Sequence, residues 1–418
     1  MPRLTGLWRH PDFLTLWAAQ TLATLSANVT NLALPLIAAL TLHASPFEMG
    51  LLGTMATLPN IMIGLFAGTW ADRARRRPIM IAADVIRALL LCSIPIAAAV
   101  NMLTIWQLYA VLFLSGVCTT FFDVANVSYL PSLVGRDQLT SANSRIVAST
   151  SVAGAVGPGL AGGLVQLLTA PIAILVDACS LALSAALMSA IRSQEPEPAA
   201  TSRRRSIGQD TSEGLRSLFR DPLLRTLAGS SMLYLFFSSI MLAVYVLYAT
   251  RSLAIAPAAL GLIFGLGGTG AVLGAIISTR VARQLGIGLA MIGTNLLSAL
   301  FLLLIPLAGD LPFGATFWLG MAQVVSQMMG TVFYIHQTSL RLAITPDHML
   351  GRMNASYRFL TMGAIPLGSF LGGVLGETIG LRSTLIVGGL GMLLPVVWLL
   401  RSPARALQTI DAYANTAE

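Results

Sequence analysis

Leu7-Trp8-Arg9-His10-Pro11, near the start of the chain, returns as Leu218-Phe219-Arg220-Asp221-Pro222, an offset of 211 residues. The same offset pairs Thr15-Leu16 with Thr226-Leu227, Pro46 with Pro257, Gly50-Leu51 with Gly261-Leu262, and Asn143 with Asn354. It also sets Gly157, Leu160 and Gly162 on Gly368, Leu371 and Gly373. Leu and Gly are abundant, so each match is weak alone. One register held across most of 418 residues is the mark of a duplication.

Composition says what is duplicated. Hydrophobic residues make up 56% and charged residues 10%, with a mean hydropathy of +0.78. A soluble domain carries about 25% charged residues, so this chain has too little polar surface to face water all round. About twenty apolar residues cross a bilayer core. On that rule twelve spans are expected, near 13–41, 48–71, 78–100, 105–130, 142–168, 171–191, 226–250, 259–281, 287–308, 313–337, 354–376 and 382–400. The expected fold is an all-α membrane protein with twelve transmembrane helices in two pseudo-symmetric six-helix bundles. The expected divisions are a first bundle (1–191), a linker with an amphipathic segment (192–225), a second bundle (226–400) and a tail (401–418). The first apolar stretch, Phe13 to Leu42, is about twice as long as a signal h-region and is expected to be retained.

The chain has no lysine, so all 25 basic residues are arginine, a composition that fits a GC-rich bacterial genome. Their placement explains the net charge of +8. Arg3, Arg9, Arg73, Arg75, Arg76, Arg77, Arg136, Arg145, seven arginines of the linker and Arg280, Arg283, Arg341, Arg352, Arg358, Arg401 and Arg405 fall on one side. Only Arg251 and Arg382 fall on the other. By the positive-inside rule both termini are cytoplasmic in a bacterial cytoplasmic (inner) membrane. The basic charge is thus a topology signal, and nucleic acid is not an expected partner. Cys92, Cys118 and Cys179 lie in apolar runs with no disulfide or metal spacing, so neither metal nor cofactor is expected.

Two motifs carry a resemblance. The segment after span 2 reads Gly68-Thr69-Trp70-Ala71-Asp72-Arg73-Ala74-Arg75-Arg76-Arg77. It resembles the G-x-x-x-D-R-x-G-R-R loop signature of the major facilitator superfamily, with Arg75 in place of the second Gly. Span 5 carries Gly154, Gly157, Pro158, Gly162 and Gly163, similar to the G-x-x-x-G-P-x-x-G-G motif of facilitator-type antiporters, with Ala153 and Ala161 at two Gly positions. Phe121-Phe122-Asp123, Tyr129-Leu130-Pro131, Leu139-x-x-Ala142-Asn143 and Asp84-x-x-Arg87 are similar to the bacterial branch that holds the enterobactin exporter and macrolide and tetracycline efflux pumps. The resemblance implies a conformational latch at Gly68, Asp72, Arg73, Arg76 and Arg77, and an exporter motif in span 5. It also implies a central cavity lined by spans 1, 4, 7 and 10. The Arg that many drug–proton antiporters carry four residues before a Gly of span 4 is absent: Leu112 precedes Gly116.

Charges inside a span cost about 2.5–3.5 kcal/mol on insertion scales and ask for a partner or a purpose. Asp84 and Arg87 are spaced to pair within one turn, and Asp123 lies at a depth where it also reaches Arg87. Asp123, Asp177 and His336 are proton-coupling candidates, each with a plain structural reading as a paired or hydrogen-bonded group. Polar stripes at helical spacing mark candidate cavity faces. These are Gln20, Thr24, Asn28 and Asn31 on span 1; Thr119, Asp123 and Asn126 on span 4; Tyr234, Ser238, Met241 and Tyr245 on span 7; and Gln323, Gln327, Thr331 and Tyr334 on span 10. Amides, hydroxyls, aromatic rings and Met together suit an amphiphilic organic molecule. No Walker signature is present to bind a nucleotide. The expectation is a monomeric, non-enzymatic exporter of a drug, antibiotic or siderophore-like molecule, driven by proton antiport and alternating access. An uptake or uniport facilitator and a non-transporting sensor are the alternatives.

Overall fold

The computed structural model describes residues 10–71, 75–193, 215–346 and 349–408, with backbone alone for 65–71, 136 and 406. It is built of helices, with no strand among the described residues. In chain order these are α1 (Pro11–Leu36), α2 (Pro46–Ala71), α3 (Arg76–Ala99), α4 (Ile105–Val134), α5 (Leu139–Leu168) and α6 (Ala170–Ala190). After a helical stretch at 215–220 come α7 (Pro222–Leu247), α8 (Pro257–Leu285), α9 (Ile287–Leu302), α10 (Ala315–Ile344), α11 (Leu350–Ile379), α12 (Leu381–Gly391) and α13 (Leu394–Leu400). Every expected span coincides with a helix except the last, 382–400, which is shared between α12 and α13. Among the described residues, ten helical segments are long and apolar enough to cross a bilayer. α10 is a further 30-residue helix that carries more amide and charged side chains.

The ends of the helices follow from local chemistry, and that chemistry repeats. Proline opens α1, α2, α7 and α8 at Pro11, Pro46, Pro222 and Pro257, where its missing N–H would have had no intrahelical partner. Ncap side chains close the first turns: His10 accepts from the Phe13 amide, and Asp221, at the matching position, accepts from Leu223 and Leu224. Ser45 and Glu48 form a reciprocal capping box on α2, with the Ser45 amide donating to the Glu48 carboxylate at 2.7 Å and the Glu48 amide donating to Ser45 Oγ at 3.2 Å. Glu48 is therefore a helix-end charge.

The duplication is deeper in the structure than in the letters. α1 ends in a π turn at Ile37–Thr41 and α7 in a π turn at Tyr248–Ser252, again 211 residues apart. His43 and Ala254 follow, both in the left-handed region at φ 50° and 51°. Thr169 and Gly380 take the same conformation between α5 and α6 and between α11 and α12, at φ 76° and 85°. The cores repeat too. Leu16, Met80 and Phe122 are buried together in one cluster, and Leu227, Met291 and Phe333, each 211 residues on, in another.

One expected helix is divided. The last span breaks at Met392 and Leu393, before Pro395. Proline removes a helix donor and crowds the carbonyl four residues earlier. Likewise α9 gives way to a 3₁₀ turn at Ile305–Leu307 that contains Pro306.

By contact the chain forms two compact units. One comprises Met1–Ala44, Met55–Arg203 and Ala256–Gly265; the other comprises Ser45–Thr54, Arg204–Ile255 and Leu266–Glu418. The first turns of α8 thus cluster within the first unit and those of α2 within the second. Glycine explains both. In the first unit a Cβ on Gly162 would lie 2.6 Å from the Gly261 Cα. In the second a Cβ on Gly373 would lie 2.8 Å from the Gly50 Cα. These are backbone-to-backbone contacts that only glycine permits, and the two pairs are related by the same offset.

Candidate functional site

The first unit holds two fully buried carboxylates, and their surroundings differ. Asp84 on α3 accepts a hydrogen bond from Ser184 Oγ of α6 at 2.7 Å and pairs with Arg87 Nη1 one turn along its own helix at 3.4 Å. Asp177 on α6 accepts from Ser26 Oγ at 2.7 Å and from Thr30 Oγ1 at 2.5 Å, both on α1. Among the described residues no basic side chain pairs with Asp177. Asp177, Ser180 and Ser184 fall at i, i+3 and i+7, one polar seam along α6, and all three are buried. The expected Asp84–Arg87 pair is present. Asp123 lies on an exposed part of α4, and the ion pair of Arg87 is with Asp84.

The span-1 and span-4 stripes meet in one place. Gln20 Nε2 donates to Asn126 Oδ1, tying α1 to α4. Thr24 donates to the Gln20 carbonyl, and Asn28 Nδ2 to the carbonyls of Thr24 and Ala153. Asn28 sits against α5 where a Cβ on Gly157 would lie 2.6 Å from its Nδ2. Asn31 is exposed, and Thr119 donates to the Ser115 carbonyl within its own helix. Of the glycine-proline motif, Gly157 and Gly162 make close contacts. The Pro158 carbonyl faces Gly261, and Gly154 and Gly163 have open space beside them.

Of the latch residues, Asp72 and Arg73 lie outside the described residues, and Gly68 is described by its backbone, within α2. Arg77 donates to the carbonyls of Met188 at 2.9 Å and Ser189 at 2.5 Å, at the end of α6, where a cation also meets the negative end of the helix dipole. Arg76, beside it in the first turn of α3, is partly buried.

In the second unit Tyr234 of α7 stacks on Phe333 of α10, ring centroids 6.4 Å apart. Ser238 donates to the Leu235 carbonyl. Met241 and Tyr245 are buried, Met241 against Gly388 of α12. On α10, Gln323 and Gln327 lie against Gly267 of α8, Thr331 donates to the Gln327 carbonyl, and Tyr334 is 66% exposed. His336 is buried with Nε2 3.1 Å from the Ser278 carbonyl, so that nitrogen carries the proton and donates to α8. Arg341, near the end of α10, lies over the Tyr357 ring at 3.8 Å.

Helical spacing missed Ser26, Thr30 and Ser184. Ser26 and Thr30 are four apart, the spacing of one helix face, but that face of α1 is turned from the Gln20–Thr24–Asn28 stripe. α1 carries two polar faces, and the one holding Asp177 is made of hydroxyls.

Comparison with known proteins agrees with this architecture. The chain is 26% identical to the multidrug efflux pump Tap of Mycolicibacterium fortuitum over 402 residues, covering 94% of this chain and 95% of Tap. It is 26% identical to the enterobactin exporter EntS of Salmonella typhi, covering 94% and 92% of the two chains. Its fold matches a bacterial homologue of the iron transporter ferroportin at a TM-score of 0.75 and 17% identity, covering 95% and 99%. The sequence model of the Major Facilitator Superfamily matches residues 16–333. That stretch takes in the second opening of the repeat, the glycine-proline helix and both π turns, and the chain belongs to the Major Facilitator Superfamily.

Proposed function

We propose that this transporter exports a small amphiphilic organic molecule across the bacterial cytoplasmic membrane by proton antiport and alternating access, acting as a monomer with both termini cytoplasmic. Its similarity to a multidrug efflux pump and an enterobactin exporter supports the direction and the cargo class. The arginine asymmetry supports the orientation.

The observation that carries the coupling is the shell of Asp177. A carboxylate buried without a cation is costly unless hydrogen-bonded, and here two hydroxyls donate to it. A hydroxyl both donates and accepts, and its hydrogen rotates freely. Both Ser26 and Thr30 donate to the carboxylate, and when it is protonated the hydroxyl facing the O–H turns to accept from it while the other still donates. The shell serves both protonation states with a hydroxyl rotation and no side-chain displacement. Asp84 lacks this freedom, because Arg87 holds it as an ion pair. In this reading Asp177 carries the proton, Asp84, held by Arg87 on its own helix, fixes α3 against α6 through Ser184, and the stripes on α1, α4, α7 and α10 supply the cargo contacts.

Expression in a pump-deficient bacterial host tests the direction. The proposal expects lower cellular accumulation of at least one dye, antibiotic or siderophore, reversed when the proton gradient is collapsed. Raised accumulation would indicate an uptake facilitator on the same fold, and no change for any compound a non-transporting sensor.

A further inference from the structure

The second unit carries a cavity that the transport reading leaves unused. It has a volume of about 540 Å³ and lies where the first turns of α7 meet α13, between Arg225 and Arg401. Trp398, Leu233, Leu394 and Val397 continue its wall. Arg225 is four residues into α7, where a cation opposes the positive end of the helix dipole. Neither arginine has an acidic partner among the described residues. The nearby Asp221 carboxylate is engaged in capping the α7 amides.

The duplication supplies an internal control. Subtracting 211 places Arg225 on Leu14, Trp398 on Leu187 and Arg401 on Ala190. All three counterparts in the first unit are apolar, with Leu187 packed on the core. Two arginines and an indole are therefore additions that this corner of the fold does not require. Gly229 accommodates the indole: a Cβ there would lie 2.8 Å from Trp398 Nε1. That N–H has no protein acceptor among the described residues.

We infer that this cavity binds the phosphate headgroup of an anionic phospholipid, held between Arg225 and Arg401. A guanidinium fork matches phosphate geometry, and an indole N–H beside it suits the headgroup and ester region where tryptophan concentrates. The wall favours a lipid over a soluble anion. Leu233 is eight residues beyond Arg225, about 12 Å deeper at 1.5 Å per residue, and Leu394 is seven residues before Arg401. Leu394 and Val397 are exposed, 48% and 39%. A charged rim with an apolar wall running inward fits a headgroup joined to acyl chains. Basic pockets between transmembrane helices are suited to anionic headgroups. The inference is independent of the cargo and coupling proposed above.

Native mass spectrometry of the full chain, titrated in detergent with phosphatidylglycerol or phosphatidylcholine, tests it. The wild type should retain phosphatidylglycerol at least tenfold more strongly than phosphatidylcholine. Each basic side chain near an anionic lipid contributes about fivefold, so Arg225→Gln with Arg401→Gln should weaken retention by roughly thirtyfold. The double Lys variant keeps the charge and should retain the lipid within about fivefold, with both variants checked for native helicity and monodispersity. Equal retention of the two lipids by the wild type, or undiminished retention by the double Gln variant, would overturn the inference. Displacement of phosphatidylglycerol by millimolar inorganic phosphate would also overturn it, marking the pocket as a site for soluble anions.

Discussion

Gly162→Ala is a one-methyl perturbation whose consequence can be worked out from geometry. The added Cβ would sit 2.6 Å from the Gly261 Cα, 2.9 Å from the Pro257 carbonyl oxygen and 3.0 Å from the Gly261 nitrogen. Carbon atoms are at their best separation about 3.5–4.0 Å apart, so the shortfall is roughly 1 Å. All three obstacles are backbone, which no rotamer change can move, so α5 and α8 must part. Overpacking of this kind costs about 1–3 kcal/mol. Gly163→Ala is the control: nothing lies within 4 Å of its Cβ, and Ala gains about 1 kcal/mol over Gly in a helix interior. Both variants share that gain, so their difference isolates the clash. Unfolding of the purified variants should find Gly162→Ala less stable than Gly163→Ala by about 1–3 kcal/mol. Gly373→Ala, the repeat counterpart, meets Gly50 Cα at 2.8 Å and should be less stable than wild type. Equal stability of Gly162→Ala and Gly163→Ala would refute the close backbone contact and the symmetric pairing built on it.

Three further outcomes follow from single contacts. A double-mutant cycle on Gln20 and Asn126 should give a coupling of about 0.5–2 kcal/mol in unfolding measurements, the range for hydrogen bonds between transmembrane helices. Ser45→Ala removes half of the α2 capping box and should cost about 0.5–2 kcal/mol of stability, while Ser45→Asp, which can still cap, should restore most of it. His336→Gln keeps a donor for the Ser278 carbonyl and is expected to leave the pH profile of transport unmoved, whereas substitution of Asp177 should shift it.

Much of the fold was legible because the sequence states it twice. Spans could be read from apolar length, and the offset of 211 from Pro11/Pro222 and Gly50/Gly261. The same offset relates the π turns and the core triplets, and also left-handed residues with unlike letters, such as His43/Ala254. The site was less legible, for a physical reason. Helical spacing gives the face a residue occupies but not the neighbour that face meets. Gln20 and Asn126 both stood on expected stripes and do meet. Met241 and Tyr245 stood on one as well, yet they are buried, Met241 against Gly388, a packing decided by a glycine 147 residues away in sequence. Asp177 was visible as a charge in a span, but its partners Ser26 and Thr30 are small hydroxyls of a kind common throughout this chain. Only the rotation of α1 against α6 singles them out.

The central claim is that a proton on Asp177 drives export. Purified transporter in vesicles, given an imposed proton gradient and a cargo identified by the accumulation assay in the pump-deficient host, tests it most directly. Wild type should concentrate the cargo against its own gradient. Asp177→Asn, which keeps size and hydrogen bonding to Ser26 and Thr30 but carries no titrating proton, should bind the cargo and exchange it without concentrating it. Gradient-driven accumulation by Asp177→Asn at the wild-type level would contradict the account.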